Sequence, residues 1–401
     1  MPEGEANRRP LEGVTVVSLE QAVAAPFASR QLADLGARVI KIERPGTGDF
    51  ARGYDETVKG LASHFVWLNR SKESLTLDLK KPEATEVLDA LLQRADVFLH
   101  NLAPGAVERL GFGAQRLRER DPRLICCAVS GYGSTGPYRD KKAYDLLVQC
   151  EAGLVSVTGT PETPSKVGIS VADIAAGMYA YTGILTALYD RERVGEGADF
   201  EVSLFEALGE WMGFPAYYSA YGGEEPPRTG ASHAAIAPYG PFDTGDAGDG
   251  GRVFLGIQNE REWAKFCEQV LESPELATDA RFSNNTKRVE NRDELAAEIR
   301  AVFAGLSAEQ ALDRLESAGI ANARMNTVRG FWEHPQLAAR DRWREVQSPA
   351  GPISALIPPV TAGNEPVMDP IPEVGDHTEA LLEELGYDGT GRERLRRDGA
   401  I

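Results

Sequence analysis

One aspartate, near the start of an apolar helical stretch, has the surroundings that most favour covalent chemistry. The segment GISVADIAAGMYAYTGILTALYD puts Ile174, Met178, Tyr181, Leu185 and Leu188 on one helical face, with Asp173 at or just before the first turn, on the flank of that face and near Gly177. Two roles fit that position. One is an N-cap, which spacing alone favours. The other is a reactive carboxylate: a helix N-terminus stabilises the ionised form while apolar neighbours strip its water, leaving a charged, poorly solvated nucleophile. A second set of residues is cationic. Arg44 follows the run RVIKI, Lys72 and Lys80 flank SLTLDL, and Arg109 lies in APGAVERLG. Taken singly each reads as a surface charge, but gathered at successive strand or loop ends of an acidic chain they form the local cluster that a polyphosphate ligand requires.

The elements that must position these groups alternate. VTVVSL (14–19) and RVIKI (38–42) are short β-branched runs separated by a helix from Pro26 to Leu35 that Gly36 closes. SLTLDL (74–79) precedes a helix with Ala84, Val87, Leu88, Leu91 and Leu92 on one face, followed by the runs ADVFLHN and RLICCAV and a further strand at 198–203. Such alternation predicts an α/β fold with a Rossmann-like, mostly parallel, doubly covered sheet. Ligands of such sheets sit at the carboxyl ends of the strands, so the loop EQAVAAP (20–26) faces the site. It lacks G-x-G-x-x-G, which argues against a nicotinamide-dependent oxidoreductase; its small residues suit either backbone contact with an anion or tight strand-to-helix packing.

The length of 401 residues favours two domains. Breaker-rich stretches (GGEEPPRTG, DTGDAGDGG) place a boundary near 222. The expected division is a large α/β domain over 1–221, a smaller α+β domain over 222–330 with a helix carrying Trp263, Phe266 and Val270, and a return to the large domain over 331–401, where the Pro-rich segment 349–372 reads as an extended connection. A net charge of −18, from 61 acidic and 43 basic side chains, speaks against nucleic acid or an anionic membrane as partner. The first ten residues hold no apolar core of a signal peptide, and no run reaches the roughly 18 apolar residues of a membrane span, so a cytoplasmic protein is expected. Cys126, Cys127, Cys150 and Cys267 read as buried thiols, and the five histidines show no metal-ligand spacing.

The order PLEGVTVVSL, DLGARVIKIERPGTGD, SLTLDLK, ADVFLHNLAPGAVERLGF, SGYGSTGPY, KAYD, VADIAAGMYA and VGDHTEALLEELG, running over nearly the whole chain, resembles the class III CoA-transferases (CaiB/BaiF, formyl-CoA transferase type). The resemblance implies that Asp173 is the nucleophile, attacking an acyl-CoA thioester to give an anhydride and then an aspartyl-CoA thioester. It implies CoA contacts from Gln21, Ala22, Val23, Ala24, Arg44, Leu77, Lys80, Asn101, Arg109 and Lys142, with Lys72 as a weaker addition and with Tyr144 and Asp145 beside them. It further implies an interlocked homodimer, acyl-CoA and small carboxylic acids as partners, and no permanently bound cofactor or metal.

The glycine-rich GGGGQ loop of formyl-CoA transferases is absent. Its place holds RTGASHAAIAPYGPF (228–242), which resembles the branch acting on C4 and C5 dicarboxylates such as mesaconate, itaconate, citramalate, malate and succinate. Arg228, His233 and Tyr239 are the candidates for a second substrate carboxylate. A racemase of the same fold would use a histidine base near KAYD, where this chain has Tyr144, a poor base at neutral pH. A non-catalytic CoA-binding subunit is the remaining alternative, and Asp173 argues against it.

Overall fold

The computed structural model describes residues 9–246, 248 and 251–401; the apolar-poor N-terminal stretch 1–8 and three positions of the DTGDAGDGG segment lie outside these. Contacts divide the chain into a first unit of 1–154, 167–214 and 341–401, and a second unit of 155–166 and 215–340. The boundaries fall at 214/215 and 340/341, against the expected 222 and 330. A short excursion, 155–166, also belongs to the second unit, because the Gly230 N–H to Gly159 O bond at 2.8 Å and side-chain bonds from Arg228 hold it there.

The first unit runs β1 (Thr15–Leu19), α1 (Ala24–Asp34), β2 (Arg38–Glu43), α2 (Ser63–Leu68), β3 (Lys72–Thr76), α3 (Pro82–Leu92), β4 (Val97–His100), α4 (Ala106–Arg109), α5 (Ala114–Arg120), β5 (Ile125–Ser130), α6 (Asp145–Glu151), α7 (Leu154–Val157, at the unit boundary), α8 (Val171–Val194), β6 (Asp199–Ser203) and α9 (Leu204–Trp211). Its six strands form one parallel sheet in the order β3-β2-β1-β4-β5-β6. The period-2 alternation sends Val16, Val39, Val97 and Ile125 into a core with α1, α8 and α9, and Val17, Ile40, Leu75 and Phe98 into a second core with α3 and α5. The expected face of α3 is the buried one, all five residues included.

Helix α8 differs from expectation. Its buried side chains are Ala172, Ala175, Ala176, Ala180, Ile184, Ala187, Leu188 and Arg191, so of the expected face only Leu188 is fully buried, while Ile174, Met178, Tyr181 and Leu185 are partly buried and the core face is turned from them. The reason is the closeness of α1. A Cβ on Gly177 would lie 2.7 Å from Ala24 O and 3.0 Å from Phe27 Cδ1, so only small residues fit between the two helices. With 24 residues and a stretch of 18 whose mean hydropathy is 1.3, α8 is long and apolar enough to cross a membrane, yet its small-residue face lies in the sheet's core, as in the central helix of a globular protein.

Residues 341–401 close the β3 edge. Ser74 Oγ accepts from Gly375 N–H at 2.9 Å, His377 N–H donates to Ser74 O at 3.0 Å, and Leu381 and Leu382 of the following helix (Thr378–Glu384) enter the second core. The Pro-rich segment is therefore not a bare connection. Ile353–Leu356 pairs antiparallel with Trp343–Val346, and Ile357, Val367 and Ile371 are buried.

The second unit carries the antiparallel sheet β7 (Tyr239–Asp243), β8 (Arg252–Gly256) and β9 (Ala321–Arg324). Its core gathers Trp263, Phe266, Val270, Phe282, Ile299, Phe303 and Leu315, contributed largely by helices 260–265, 292–303 and 308–317 and the π turn at 266–270. Cys126, Cys127 and Cys267 are buried free thiols, whereas Cys150 on α6 is exposed.

Candidate active site

Helix α8 begins after Ser170, whose side chain makes no cap hydrogen bond, so Asp173 is the third helical residue and not the N-cap. The capping acceptor comes from another element. Asp145, first residue of α6, turns inward, and its Oδ1 accepts from Ala172 N–H at 2.7 Å and Asp173 N–H at 3.3 Å. Its Oδ2 accepts from Gln149 Nε2 at 2.6 Å. The donors that were expected to steady an ionised Asp173 are thus occupied by a second carboxylate. Burial, and then the charge of Asp145, push the Asp173 carboxyl up to about 7. No hydrogen bond from a described residue holds the Asp173 side chain, which leaves its oxygens available to an electrophile. The phenol of Tyr54, raised to about 12 by burial and by Asp49, Asp173 and Tyr144, marks those groups as neighbours.

The loop after β1 is held by a buried ionic network. Ala22 takes a left-handed φ of +64°, and its N–H donates to Asp49 Oδ1 at 3.1 Å. Gln21 and Asn101 exchange two bonds, Gln21 N–H to Asn101 Oδ1 at 3.0 Å and Asn101 Nδ2 to Gln21 O at 2.8 Å. Val23 precedes α1 and Ala24 opens it; the Ala24 carbonyl is the atom nearest Gly177 of α8, so the loop and the Asp173 turn are packed as one piece. Beneath them, Lys41 Nζ lies 2.7 Å from Asp49 and 3.5 Å from Glu20, and Lys72 Nζ 2.7 Å from Glu20.

This network corrects one expectation. Lys72 is fully buried, its ammonium shared among Glu20, Pro26 O and Asn69, so it supports the loop and presents no charge to a ligand. Leu77 is also buried, at 2% exposure, and Asn101 and Asp145 spend their polar atoms on the protein. By contrast Arg44, Lys80, Arg109 and Lys142, which follow β2, β3, β4 and β5, are all exposed, and none has an ion-pair partner among the described residues. Tyr144, two residues after Lys142, is 68% exposed. In the second unit Arg228 donates to the carbonyls of Ser156, Thr160 and Pro161, while His233 stacks on Tyr239 at 5.3 Å and accepts from Ala235 N–H. Glu20, Asp49, Tyr54 and Gln149 were not singled out from sequence. Gln149 alone had a local signal, lying one helical turn after Asp145.

Over residues 11–378 the chain matches the family model for CoA-transferase family III. The chain belongs to CoA-transferase family III. It is similar to the succinyl-CoA:glutarate CoA-transferase of Mus musculus, at 33% identity over 98% of this chain and 90% of that one. It is also similar to the succinyl-CoA:mesaconate CoA-transferase of Haloarcula hispanica, at 32% identity over 97% and 99%. A CaiB/BaiF family protein of Brucella suis superposes with a TM-score of 0.82 at 32% identity, covering 94% of this chain and all of that one. As a CoA-transferase the protein takes CoA thioesters, and the expectation that Arg44, Lys80, Arg109 and Lys142 meet the phosphates of that ligand has a direct test. Alanine at Arg44, Lys80, Arg109 or Lys142 is expected to raise KM for acyl-CoA about fivefold each, roughly 1 kcal/mol per exposed contact, with kcat unchanged. Initial rates at two salt concentrations check this, since the parent KM must rise with salt more steeply than that of each variant.

Proposed function

We propose that this transferase moves CoA from a succinyl-CoA-type donor to a C4 or C5 dicarboxylic acid, with Asp173 as covalent carrier. The observation that carries the reading is a carboxylate at the head of α8 whose oxygens are left without hydrogen bonds beside a tightly built loop. An Asp173 oxygen attacks the thioester carbonyl and expels CoA thiolate, forming a mixed anhydride. The thiolate attacks the Asp173 carbonyl, releasing the first acid and leaving an aspartyl-CoA thioester. The acceptor carboxylate attacks that carbonyl and frees the thiolate again, which then attacks the acceptor's acyl carbon and returns Asp173 as carboxylate. Only a carboxylate nucleophile permits this double exchange. Because Asp145 occupies the N–H groups of Ala172 and Asp173, the oxyanions formed along the way draw on other donors.

The dicarboxylate preference is supported by relatives named for glutarate and mesaconate. Purified protein given succinyl-CoA is expected to form new thioesters with glutarate, mesaconate, itaconate, citramalate or malate, detected by mass spectrometry; mesaconyl-CoA alone tests migration between the C1 and C4 carboxyls. Exchange confined to oxalate or to monocarboxylates would remove the preference. Since the attacking form is ionised and the free carboxyl titrates at about 7, kcat/KM is expected to fall tenfold per pH unit on the acid side of that value. A pH profile flat down to about pH 5 would contradict it.

A further inference from the structure

We infer that Gln149 is a positioning residue of this transferase: its buried carboxamide holds Asp145 as the outside cap of α8, and so fixes both the backbone that carries Asp173 and the carboxylate that faces it. The inference rests on the proposed role of Asp173. Gln149 is fully buried on the inward side of α6, beside Val148. Both ends of its amide are used. Nε2 donates to Asp145 Oδ2 at 2.6 Å, and Oε1 accepts from Val167 N–H at 3.0 Å. The orientation of the amide is dictated by those partners, because a backbone N–H can only donate and a carboxylate only accept.

Three pieces of chain meet through this one side chain: α6, the first turn of α8, and Val167, where the chain re-enters the first unit after residues 155–166. A leucine would fill the same space without desolvating an amide, so the polar group has to be accounted for by what it holds. What it holds is Asp145. Without the Nε2 donor, nothing in the described structure restrains Oδ2, and the cap on Ala172 and Asp173 loosens with it. The titratable groups that act on Asp173 are Asp145 from the start of α6 and Tyr54 from the segment after β2, while α1 sets Ala24 and Phe27 against the neighbouring turn at Gly177 and Gln31 against Met178.

Gln149→Glu separates this role from simple packing. A protonated glutamic acid reproduces both bonds, its O–H donating to Asp145 and its carbonyl oxygen accepting from Val167 N–H. Once ionised it can only accept, and two carboxylates confront each other. The ratio of variant to parent kcat is therefore expected to fall about tenfold or more between about pH 6 and about pH 9, with KM for acyl-CoA within about twofold of the parent. Taking the ratio removes the limb that Asp173 contributes to both proteins. Gln149→Met, similar in size and without the bonds, is expected to lose about tenfold in kcat at every pH and to speed hydrogen exchange of the Ala172 and Asp173 amides about tenfold.

A pH-independent ratio for the glutamate variant, or parent-like kcat and exchange for the methionine variant, overturns the inference. Mass spectrometry of the parent quenched during turnover separates the two levels. An adduct on Asp173 together with a flat ratio removes only the role of Gln149. Turnover with no adduct on Asp173 removes the proposed mechanism, and the inference about Gln149 with it.

Discussion

Asp173→Ala is expected to abolish CoA transfer, with kcat down by at least roughly 10⁴-fold, because under the proposed mechanism the variant has no oxygen nucleophile to accept the acyl group and then the thiol. Acyl-CoA binding, followed by calorimetry, stays within about twofold of the parent, since Arg44, Lys80, Arg109 and Lys142 are untouched. Hydroxylamine added to parent enzyme and donor traps Asp173 as a hydroxamate; the variant gives none. Residual transfer within about a hundredfold of the parent would sink the covalent route.

The same substitution has an opposite expected effect on stability. In the fold the Asp173 carboxyl titrates at about 7, above its ordinary carboxylate value, because burial and Asp145 disfavour its charge. Between the ordinary value and about 7 the native state binds more protons than the unfolded chain, so this group makes the parent less stable as pH rises through that window. Asp173→Ala lacks the penalty. Its melting temperature should exceed the parent's by a margin that widens from about pH 4 to about pH 7 and then stays level, as for active-site groups retained at a cost in stability. A margin that shrinks over that range contradicts the raised titration.

Asp49→Ala is the second large effect, and it falls on folding first. Asp49 is buried, with one oxygen on Lys41 Nζ at 2.7 Å and the other accepting from the N–H groups of Ala22 and Ala51. Removing it leaves the buried Lys41 ammonium with Glu20 at 3.5 Å and Asn69 at 3.1 Å, and Glu20 must already serve Lys72. Breaking a buried pair in this way costs about 3–5 kcal/mol. The strained Ala22 backbone loses its anchor at the same time, so transfer falls even where the variant is folded. Asp49→Asn keeps one accepting oxygen and is expected to lie between the two in denaturant titrations. An alanine variant as stable as the parent would show that the network contributes nothing.

Particular elements show why some of this was legible and some was not. The sheet could be read because its inner strands are sandwiched, and a sandwiched strand is mostly β-branched or apolar: VTVVSL, RVIKI and RLICCAV keep that pattern, with the one lysine of RVIKI, Lys41, buried in an ion pair. Helix α3 could be read because it packs one broad apolar stripe against one sheet face. Helix α8 was misread in phase. Large side chains mark a core face only when the neighbour stands at ordinary distance, and here α1 comes so close that alanine and glycine do the packing.

The candidate site divides in the same way. Asp173 could be singled out by residue type and local setting, and the exposed cations by their recurrence after successive strands. Lys72 could not be told from them, because sequence spacing carries no sign of whether a lysine points to water or to a buried glutamate.

The order of strands and helices, the family motifs and the single carboxylate at the head of an apolar helix were determined by the sequence alone, since each follows from local composition and chain order. Only the tertiary structure decided which acid caps that helix, how far Asp173 departs from an ordinary carboxyl, and which lysines are spent on the interior. Those properties depend on distances of a few ångströms between residues as far apart as Glu20 and Lys72, or Asp145 and Asp173, and on the water that packing excludes between them.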